Sequence, residues 1–191
     1  MIKEQQKKVE IGTVKRQDIL ENQAKIVFLG IGSNLGLRKT NIEKAKFLLA
    51  EFNLDFLSVS SYYETPSWPD QRKPKFLNII LKIKCYYNPQ ELLKICKYIE
   101  TQLGRKKTKK NAPRTCDIDI IDFNGEIIKN DELETPHPRL HLRNFVIYPL
   151  KEIEPNWLHP IYNKNIDSFF KELDKNSHNE ITRLGKSDIL N

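Results

Sequence analysis

The chain has 191 residues, of which 39% are hydrophobic and 30% charged, and its formal net charge is +7. This length and composition predict one soluble globular domain, and they exclude a membrane-spanning helix because no apolar run reaches the ~18 residues required. The excess of basic over acidic residues favours an anionic partner, which can be nucleic acid, a phosphate-rich small molecule or an acidic membrane.

Residues 1–24 show no firm periodicity and are predicted to form a mobile or weakly helical extension. They lack a hydrophobic core and contain acidic residues, so we expect neither a secretory signal nor a transit peptide, and a cytoplasmic location. The apolar run in "KIVFLGIGSN" then predicts a buried strand at about 26–31, followed by a glycine-rich turn. Apolar residues at helical spacing predict a helix over 39–52.

The middle of the chain alternates between strand and helix signals. "LDFLSVSSYYETP" predicts a strand that ends near Thr65, and "SWPDQRKPK" a loop. "FLNIILKIKCYY" alternates apolar and more polar residues, which predicts a strand buried on one side. "NPQELLKICKYIETQLG" predicts a helix with Asn88 as N-cap, Glu91 completing a capping box and Gly104 at its end.

The last third begins with the basic loop "RKKTKKNAPR". "TCDIDIIDFNGEII" then predicts a strand, a tight Asn-Gly turn and a return strand. "RNFVIYPLKEIEPNWLHP" supplies a last helix-like segment, and residues 164–191 are predicted to be a polar C-terminal extension. The order β-α-β-β-α-β predicts an α+β fold for residues 25–163, namely a ferredoxin-like sandwich with an antiparallel sheet.

The glycines of "GIGSNLGLRKT" nearly match two phosphate-binding fingerprints. Leu35 stands where G-x-G-x-x-G needs a glycine, and Leu37 follows Gly36 where a P-loop needs lysine. The following strands look antiparallel, so a Rossmann unit lacks its scaffold. A glycine-rich turn between strand and helix is the alternative.

Two aspartates, Asp117 and Asp119, interrupt an otherwise apolar strand. A carboxylate in such a strand is costly unless it is paired or holds a metal. Residues at i and i+2 point the same way, about 6.6 Å apart, which suits one or two magnesium ions shared with polyphosphate oxygens. An exposed strand edge paired with lysines is the alternative. Asp122, an odd number of positions away, is expected on the opposite face without a role in the pair.

Two basic clusters flank this pair in sequence. The loop 105–114 is compatible with a solvated charge run or an RNA contact, but it lacks interleaved aromatics and fits phosphate better. His137 is either an inconsequential loop residue or part of a cluster of donors for anionic oxygens, since Arg139, His141 and Arg143 follow at alternate positions.

Several motifs together resemble one family. They are "GSNLG", "YYETP", "FLN", "ETQLGR", "PRTCDIDI" and "TPHPRLHLRNFVIYPL", in this order, and they cover roughly residues 25–160. They resemble 6-hydroxymethyl-7,8-dihydropterin pyrophosphokinases of folate biosynthesis. The resemblance implies a ferredoxin-like fold and a diphosphotransferase, which passes pyrophosphate from ATP to the hydroxymethyl group of the pterin and releases AMP.

The resemblance also implies roles for individual residues. The expected catalytic residues are Arg105, Arg114, Asp117 and Asp119, of which Asp117 and Asp119 would hold two magnesium ions. The expected ATP-binding residues are Glu100, Lys107, Lys110, Ile120, Thr135, His137 and Arg139. The expected pterin-binding residues are Thr65, Pro66, Phe76, Asn78, Asp117, Arg143 and Phe145, with the two phenyl rings stacked on the pterin.

The chain departs from the family pattern in the basic loop. Some members carry tryptophan at or near the position of Asn111 and glycine at that of Ala112, and Trp68 could substitute as a lid. Two other functions therefore stay open: a ferredoxin-like RNA-binding module, and a homologue that binds pterin or nucleotide without turnover. The leading interpretation is the enzyme, acting as a monomer on small molecules, with no nucleic-acid or membrane partner.

Overall fold

An antiparallel sheet forms the centre of the computed structural model, which describes residues 23–67, 70–105 and 112–187. The strands in chain order are β1 (Lys25–Ser33), β2 (Asp55–Val59), β3 (Ser61–Thr65), β4 (Phe76–Cys85), β5 (Asp117–Phe123), β6 (Ile128–Lys129), β7 (Glu134–Thr135) and β8 (Thr182–Lys186). The main sheet has the order β5-β1-β4-β3-β8, β2 also pairs with β4, and β6 and β7 form a separate ribbon.

The helices complete a ferredoxin-like α+β sandwich, as the sequence predicted. They are α1 (Arg38–Glu51), α2 (Pro89–Gln102), α3 (Asn144–Ile153), α4 (Ile166–Glu172) and α5 (Lys175–Asn179), with a 3-10 turn at Leu140–Leu142. The predicted capping box begins α2, because the Asn88 side chain accepts from Glu91 N at 2.9 Å and Glu91 Oε2 accepts from Asn88 N at 2.9 Å. Gly104 follows the helix with φ +81°. No helix in the described ranges is long and apolar enough to cross a bilayer.

Helices cover both faces of the sheet. On one face α1 and α2 bury the main core, which includes Leu29, Ile83 and Ile118. On the other face α3 and α4 pack over Phe28, Ile80 and Ile121. The prediction that β4 is buried on one side is therefore wrong for residues 77–81, which are all buried because the second helical layer covers the face that was expected to meet solvent; residues 82–85 alternate as predicted.

Residues 164–187 form part of this second layer. The side chains of Ile166 and Phe169 on α4 are buried against α3, and β8 adds a strand beside β3. The segment is polar in overall composition because α4 is apolar on one side only and α5 buries no residue. It packs against α3, which is near it in sequence, and against β3, which is far from it.

Two strand predictions differ from the structure. The single strand expected before Thr65 is divided at Ser60, whose N–H donates to Ile80 O at 3.0 Å while its Oγ accepts from Ile80 N at 2.9 Å. The return strand after the Asn-Gly turn pairs with β7, not with β5. The turn itself exists, with φ +54° at Asn124 and +70° at Gly125. On β5, however, the carbonyl oxygen of Ile121 accepts a hydrogen bond from His137 N at 2.8 Å and not from the return strand.

Candidate active site

A cavity of about 520 Å³ lies where β1, β4 and β5 meet the loops that follow β3 and β7. Its size is ordinary for a small-molecule site. It brings together most of the residues for which the sequence predicted a role. Those that line it are Thr65, Pro66, Phe76, Asn78, Arg105, Arg114, Asp117, Asp119, His137, Arg139, Arg143 and Phe145.

Three predicted ATP-binding residues do not line this cavity. Ile120 packs in the core beneath the helices, and Thr135 is buried with its hydroxyl donating to Glu126 O at 2.9 Å. Glu100 is 2% exposed and lies behind Arg105, with which it forms an ion pair. Lys107 and Lys110, like Trp68 and Asn111, lie outside the described residues.

The two aspartates on β5 face the cavity from the same side of the strand. Asp117 lies opposite Gly32 and Asp119 opposite Gly30 on β1. Each carboxylate is paired with arginine, since Asp117 contacts Arg105 at 2.6 Å and Arg114 at 2.8 Å. The alternative was an exposed strand edge at which the two aspartates pair with lysines. It does not apply, because the partners of Asp117 are arginines.

Glu100 fixes Arg105 from behind. Its carboxylate accepts from Ile118 N at 2.7 Å, which anchors it to the start of β5. Burial raises the pKa of Glu100. Burial alone would lower the pKa of Arg105, but the adjacent carboxylates of Asp117 and Glu100 raise it above its usual value. The guanidinium is thus held charged at the cavity wall.

A third arginine joins Asp119 to the aromatic part of the cavity. Arg143 Nη1 lies 3.4 Å from Asp119 Oδ2, and its guanidinium carbon lies 5.4 Å from the centroid of the Phe145 ring. Burial lowers the pKa of Arg143, and the charge of Asp119 opposes that effect. Burial also lowers the pKa of His137, and the charge of Arg143 lowers it further. His137 is therefore a neutral donor or acceptor near pH 7.

His137 and Arg139 line the cavity as a basic cluster, but His141, the second histidine of that motif, does not. Nδ1 of His137 accepts from Arg139 N at 3.2 Å. His141 instead lies among aromatic rings, with its centroid 5.3 Å from that of Tyr162 and 6.4 Å from that of His159. The alternate spacing of Arg139, His141 and Arg143 predicted that their side chains point the same way. The 3-10 turn at Leu140–Leu142 breaks the extended backbone that this would require.

Asp122 is on the same side of β5 as Asp119, contrary to the prediction. The pairing of β1 with β5 passes from Leu29 opposite Ile120 to Phe28 opposite Asp122, so Ile121 is an extra residue in a β-bulge. Asp122 still takes no part in the pair. Its buried carboxylate accepts from Trp157 Nε1 at 2.7 Å and from Gly125 N at 2.8 Å.

Two aromatic side chains and an amide define the other part of the cavity. Phe76 begins β4 and Phe145 lies in the first turn of α3. Asn78 lines the same cavity, and its Nδ2 donates to Thr65 Oγ1 at 3.3 Å. Asn78 is 6% exposed, so this hydrogen bond holds the amide in one orientation.

Sequence reasoning missed the function of the glycines. Gly30 and Gly32 lie within β1, which continues to Ser33, and not in a turn as predicted; the turn comes at Gly36, with φ +68°. A Cβ at Gly32 would lie 2.9 Å from Asn78 Oδ1 and 3.5 Å from the Phe76 ring. Glycines at alternate positions of a strand signal close approach of another group, and this signal was available in the sequence.

For the other residues that line the cavity, no pattern in the sequence predicted a role. They come from α2, from the loop after β3, from the start of α3 and from the C-terminal segment, and they include Ser67, Lys97, Leu142, Asn144, Asp174, Ser177 and Glu180.

The donor set of the cavity suits a hard cation shared with a substrate. In residues 23–67, 70–105 and 112–187, no group of three His, Cys, Asp or Glu is placed to hold a metal by protein ligands alone. Two carboxylates on one strand face match magnesium, which usually takes its remaining ligands from phosphates and water. The arginines beside them suit the same phosphate oxygens.

Comparison with known proteins shows the family of the chain. The family model described as 7,8-dihydro-6-hydroxymethylpterin-pyrophosphokinase matches residues 28–155. A protein of Aquifex aeolicus named 2-amino-4-hydroxy-6-hydroxymethyldihydropteridine pyrophosphokinase is 45% identical over 146 residues, which are 76% of this chain and 91% of that protein. A Bacillus subtilis protein of the same name is 41% identical over 129 residues, 67% of this chain and 77% of that protein.

A solved structure shares the fold. The crystal structure of wild-type Plasmodium falciparum HPPK-DHPS has a TM-score of 0.65 and 17% sequence identity, and the match covers 86% of this chain and 49% of that one. The chain thus spans about half the length of that structure. From the family match and the two relatives, the chain belongs to the 7,8-dihydro-6-hydroxymethylpterin-pyrophosphokinase family.

Proposed function

We propose that the protein transfers the pyrophosphoryl group of ATP to the hydroxymethyl oxygen of 6-hydroxymethyl-7,8-dihydropterin, a step of folate biosynthesis that releases AMP. The observation that carries the proposal is the division of one cavity into two parts. One part presents the Asp117–Asp119 pair with arginines, and the other presents two phenyl rings and an oriented amide. A polyphosphate fits the first and a flat heteroaromatic ring fits the second.

The charged part would bind the triphosphate. Asp117 and Asp119 would hold magnesium, two ions in our proposal, which neutralises phosphate charge when bound. Arg105 and Arg114 would bind phosphate oxygens, and their pairing with Asp117 keeps both within reach of that carboxylate. Phosphoryl transfer depends on charge neutralisation and alignment, so these groups can supply most of the catalysis.

Of the remaining ATP-site residues, some would contact the triphosphate directly and others would act through their neighbours. His137 and Arg139 would contact the triphosphate directly, since both line the cavity. Glu100 would act through Arg105, because it is buried behind that side chain and touches it by an ion pair. Ile120 and Thr135 would support the backbone of the site from the core.

The aromatic part would bind the pterin. Phe76 and Phe145 would stack on its two faces, which gains contact area at little entropic cost. Asn78 would hydrogen-bond to its polar edge, with its orientation set by Thr65. Arg143 would lie beside the ring and between the two substrates, since it touches both Asp119 and Phe145.

The reaction then needs alignment more than covalent assistance. The hydroxymethyl oxygen forms a bond to the β-phosphorus of ATP, the bond from that phosphorus to the α,β-bridging oxygen breaks, and AMP leaves with the electron pair. The hydroxyl proton passes to water. The arginines counter the negative charge that shifts between the attacking and leaving oxygens.

The test is AMP release from ATP and 6-hydroxymethyl-7,8-dihydropterin with magnesium, followed for the wild type, Asp119→Asn and Asp131→Asn. Asp131 is an exposed residue in the turn between β6 and β7 and serves as the matched control. We expect Asp119→Asn to lower the rate about 100-fold or more, as removal of a charge-stabilising group commonly does, and the control to match the wild type. Unchanged turnover in Asp119→Asn, or no AMP from the wild type, would contradict the proposal. We propose that the active form is a monomer, which sedimentation velocity tests.

A further inference from the structure

The C-terminal segment contributes to the cavity although it lies outside the family match at residues 28–155. Asp174, Ser177 and Glu180 line the cavity together with the substrate-facing residues of the domain. We call these three residues the C-terminal wall. Nothing in the proposed chemistry of ATP or pterin uses them, so their presence in the lining needs a separate explanation.

The C-terminal wall is held against the start of α3. Asn144 Nδ2 donates to Ser177 O at 2.7 Å, and Asn144 is the neighbour of Phe145. One turn later, Tyr148 Oη lies 2.6 Å from Nδ1 of His178. The short helix α5 is therefore fixed to the same turns of α3 that carry a ring of the proposed pterin site.

Glu180 also holds the chain that leads into β4. Gln71 Nε2 donates to Glu180 Oε1 at 2.9 Å. The same segment is also held where Asn34 Nδ2 donates to Pro74 O at 3.1 Å and Arg38 Nη1 donates to Lys75 O at 2.9 Å. Residues 70–75 are thus held at several points, and the next residue is Phe76.

Strand β8 connects the C-terminal segment to β3 as well. It pairs with β3 through Tyr63 opposite Arg183 and Glu64 opposite Thr182. Arg183 Nη2 also contacts Glu152 Oε1 on α3 at 2.6 Å. The residue after Glu64 is Thr65, which orients Asn78. The C-terminal segment therefore contacts the segments that carry Thr65, Phe76 and Phe145.

We propose that the C-terminal wall sets the pterin end of the cavity and that Glu180 is a positioning residue, acting on Phe76 through Gln71. This inference rests on the proposed function, because it assigns the aromatic part of the cavity to the pterin. The ligand it concerns is the flat, polar-edged heteroaromatic ring. Binding of the triphosphate depends on the arginines of other elements and is independent of Glu180.

The experiment compares Glu180→Ala, Glu180→Gln and the control Glu172→Ala in the full chain. Glu172 lies in the same segment, pairs with Lys164 at 2.8 Å on the surface and does not line the cavity. We measure the Kd of 6-hydroxymethylpterin by calorimetry, the KM values of both substrates, kcat and Tm. Loss of one exposed hydrogen bond should raise the pterin Kd and KM about 2- to 3-fold in Glu180→Ala. The KM of ATP, kcat and Tm should stay unchanged.

Glu180→Gln keeps an acceptor oxygen for Gln71, so it should restore pterin binding. A double-mutant cycle with Gln71→Ala should show that the two alanine changes are not additive, because both remove one bond. The inference is overturned if Glu180→Ala binds the pterin as the wild type does. It is also overturned if Glu180→Gln is equally impaired, or if the KM of ATP rises in parallel.

Failure of the reaction is separable from failure of this inference. A wild type that binds the pterin but releases no AMP contradicts the proposed reaction, and the pterin Kd values of the variants then decide the positioning role by themselves. A wild type that turns over normally, with variants whose pterin Kd and KM are unchanged, contradicts the positioning role alone.

Discussion

Replacement of Gly32 by alanine should weaken pterin binding through a single misplaced methyl group. Gly32 pairs with Asn78 across β1 and β4, and its missing side chain leaves the space beside the Asn78 amide open. A Cβ built at this position would lie 2.9 Å from Asn78 Oδ1, closer than real Cβ atoms approach, and 3.5 Å from the ring of Phe76. The amide must therefore move, and its hydrogen bond with Thr65 must stretch or break.

The size of the effect follows from the cost of returning the amide to the orientation that binds the pterin. Overpacking at a filled site costs about 1–3 kcal/mol, whereas the backbone entropy that alanine recovers, about 0.5–1 kcal/mol, acts through the unfolded chain and changes Tm but not the Kd. Asn78 is 6% exposed, so it has little room to relax. A net cost of about 1–2 kcal/mol in the bound conformation corresponds to about a 5- to 30-fold rise in the pterin Kd.

Gly30→Ala is the matched control, because Gly30 lies two residues earlier on the same face. Its Cβ would first meet the tip of Ile121 at 3.2 Å and would not reach Asn78. Calorimetry with 6-hydroxymethylpterin, with Tm and the KM of ATP measured in parallel, should show a large effect in Gly32→Ala and a small one in Gly30→Ala. Wild-type pterin affinity in Gly32→Ala, or equal losses in both variants, would refute the reasoning.

Three further predictions concern stability. Asn88→Ala removes the capping-box acceptor of α2 and should lower the free energy of unfolding in urea by about 1 kcal/mol; an unchanged midpoint would contradict it. Trp157→Phe leaves the buried Asp122 carboxylate without its indole donor and should cost about 1–3 kcal/mol in the same assay, whereas a neutral result would show that the bond contributes little. Burial, followed by the charge of His141, lowers the pKa of His159 to about 4. Because an unfolded histidine titrates at about 6.5, His159 should contribute stability that is complete above that pH and is lost as the pH falls through about 4, roughly 3 kcal/mol in total. Urea unfolding at several pH values should show this loss in the wild type and not in His159→Gln.

Local sequence patterns determined the parts of this protein that short-range physics controls. The capping box at Asn88 is such a case, since its donors and acceptors lie three residues apart. The facing direction of Asp117 and Asp119 is another, because strand geometry alone places i and i+2 on one side. The order of strands and helices followed from hydrophobic periodicity, and with it the ferredoxin-like fold.

The tertiary structure decided what depends on residues far apart in the chain. The bulge at Ile121 turns Asp122 toward Trp157, and no local sequence pattern predicted this bulge. Burial of β4 on both faces and the participation of Glu180 in the cavity both require α3 and its neighbours to pack over the sheet. Periodicity reports which side of a segment is apolar, whereas the partner of that side is chosen by the packing of the whole chain.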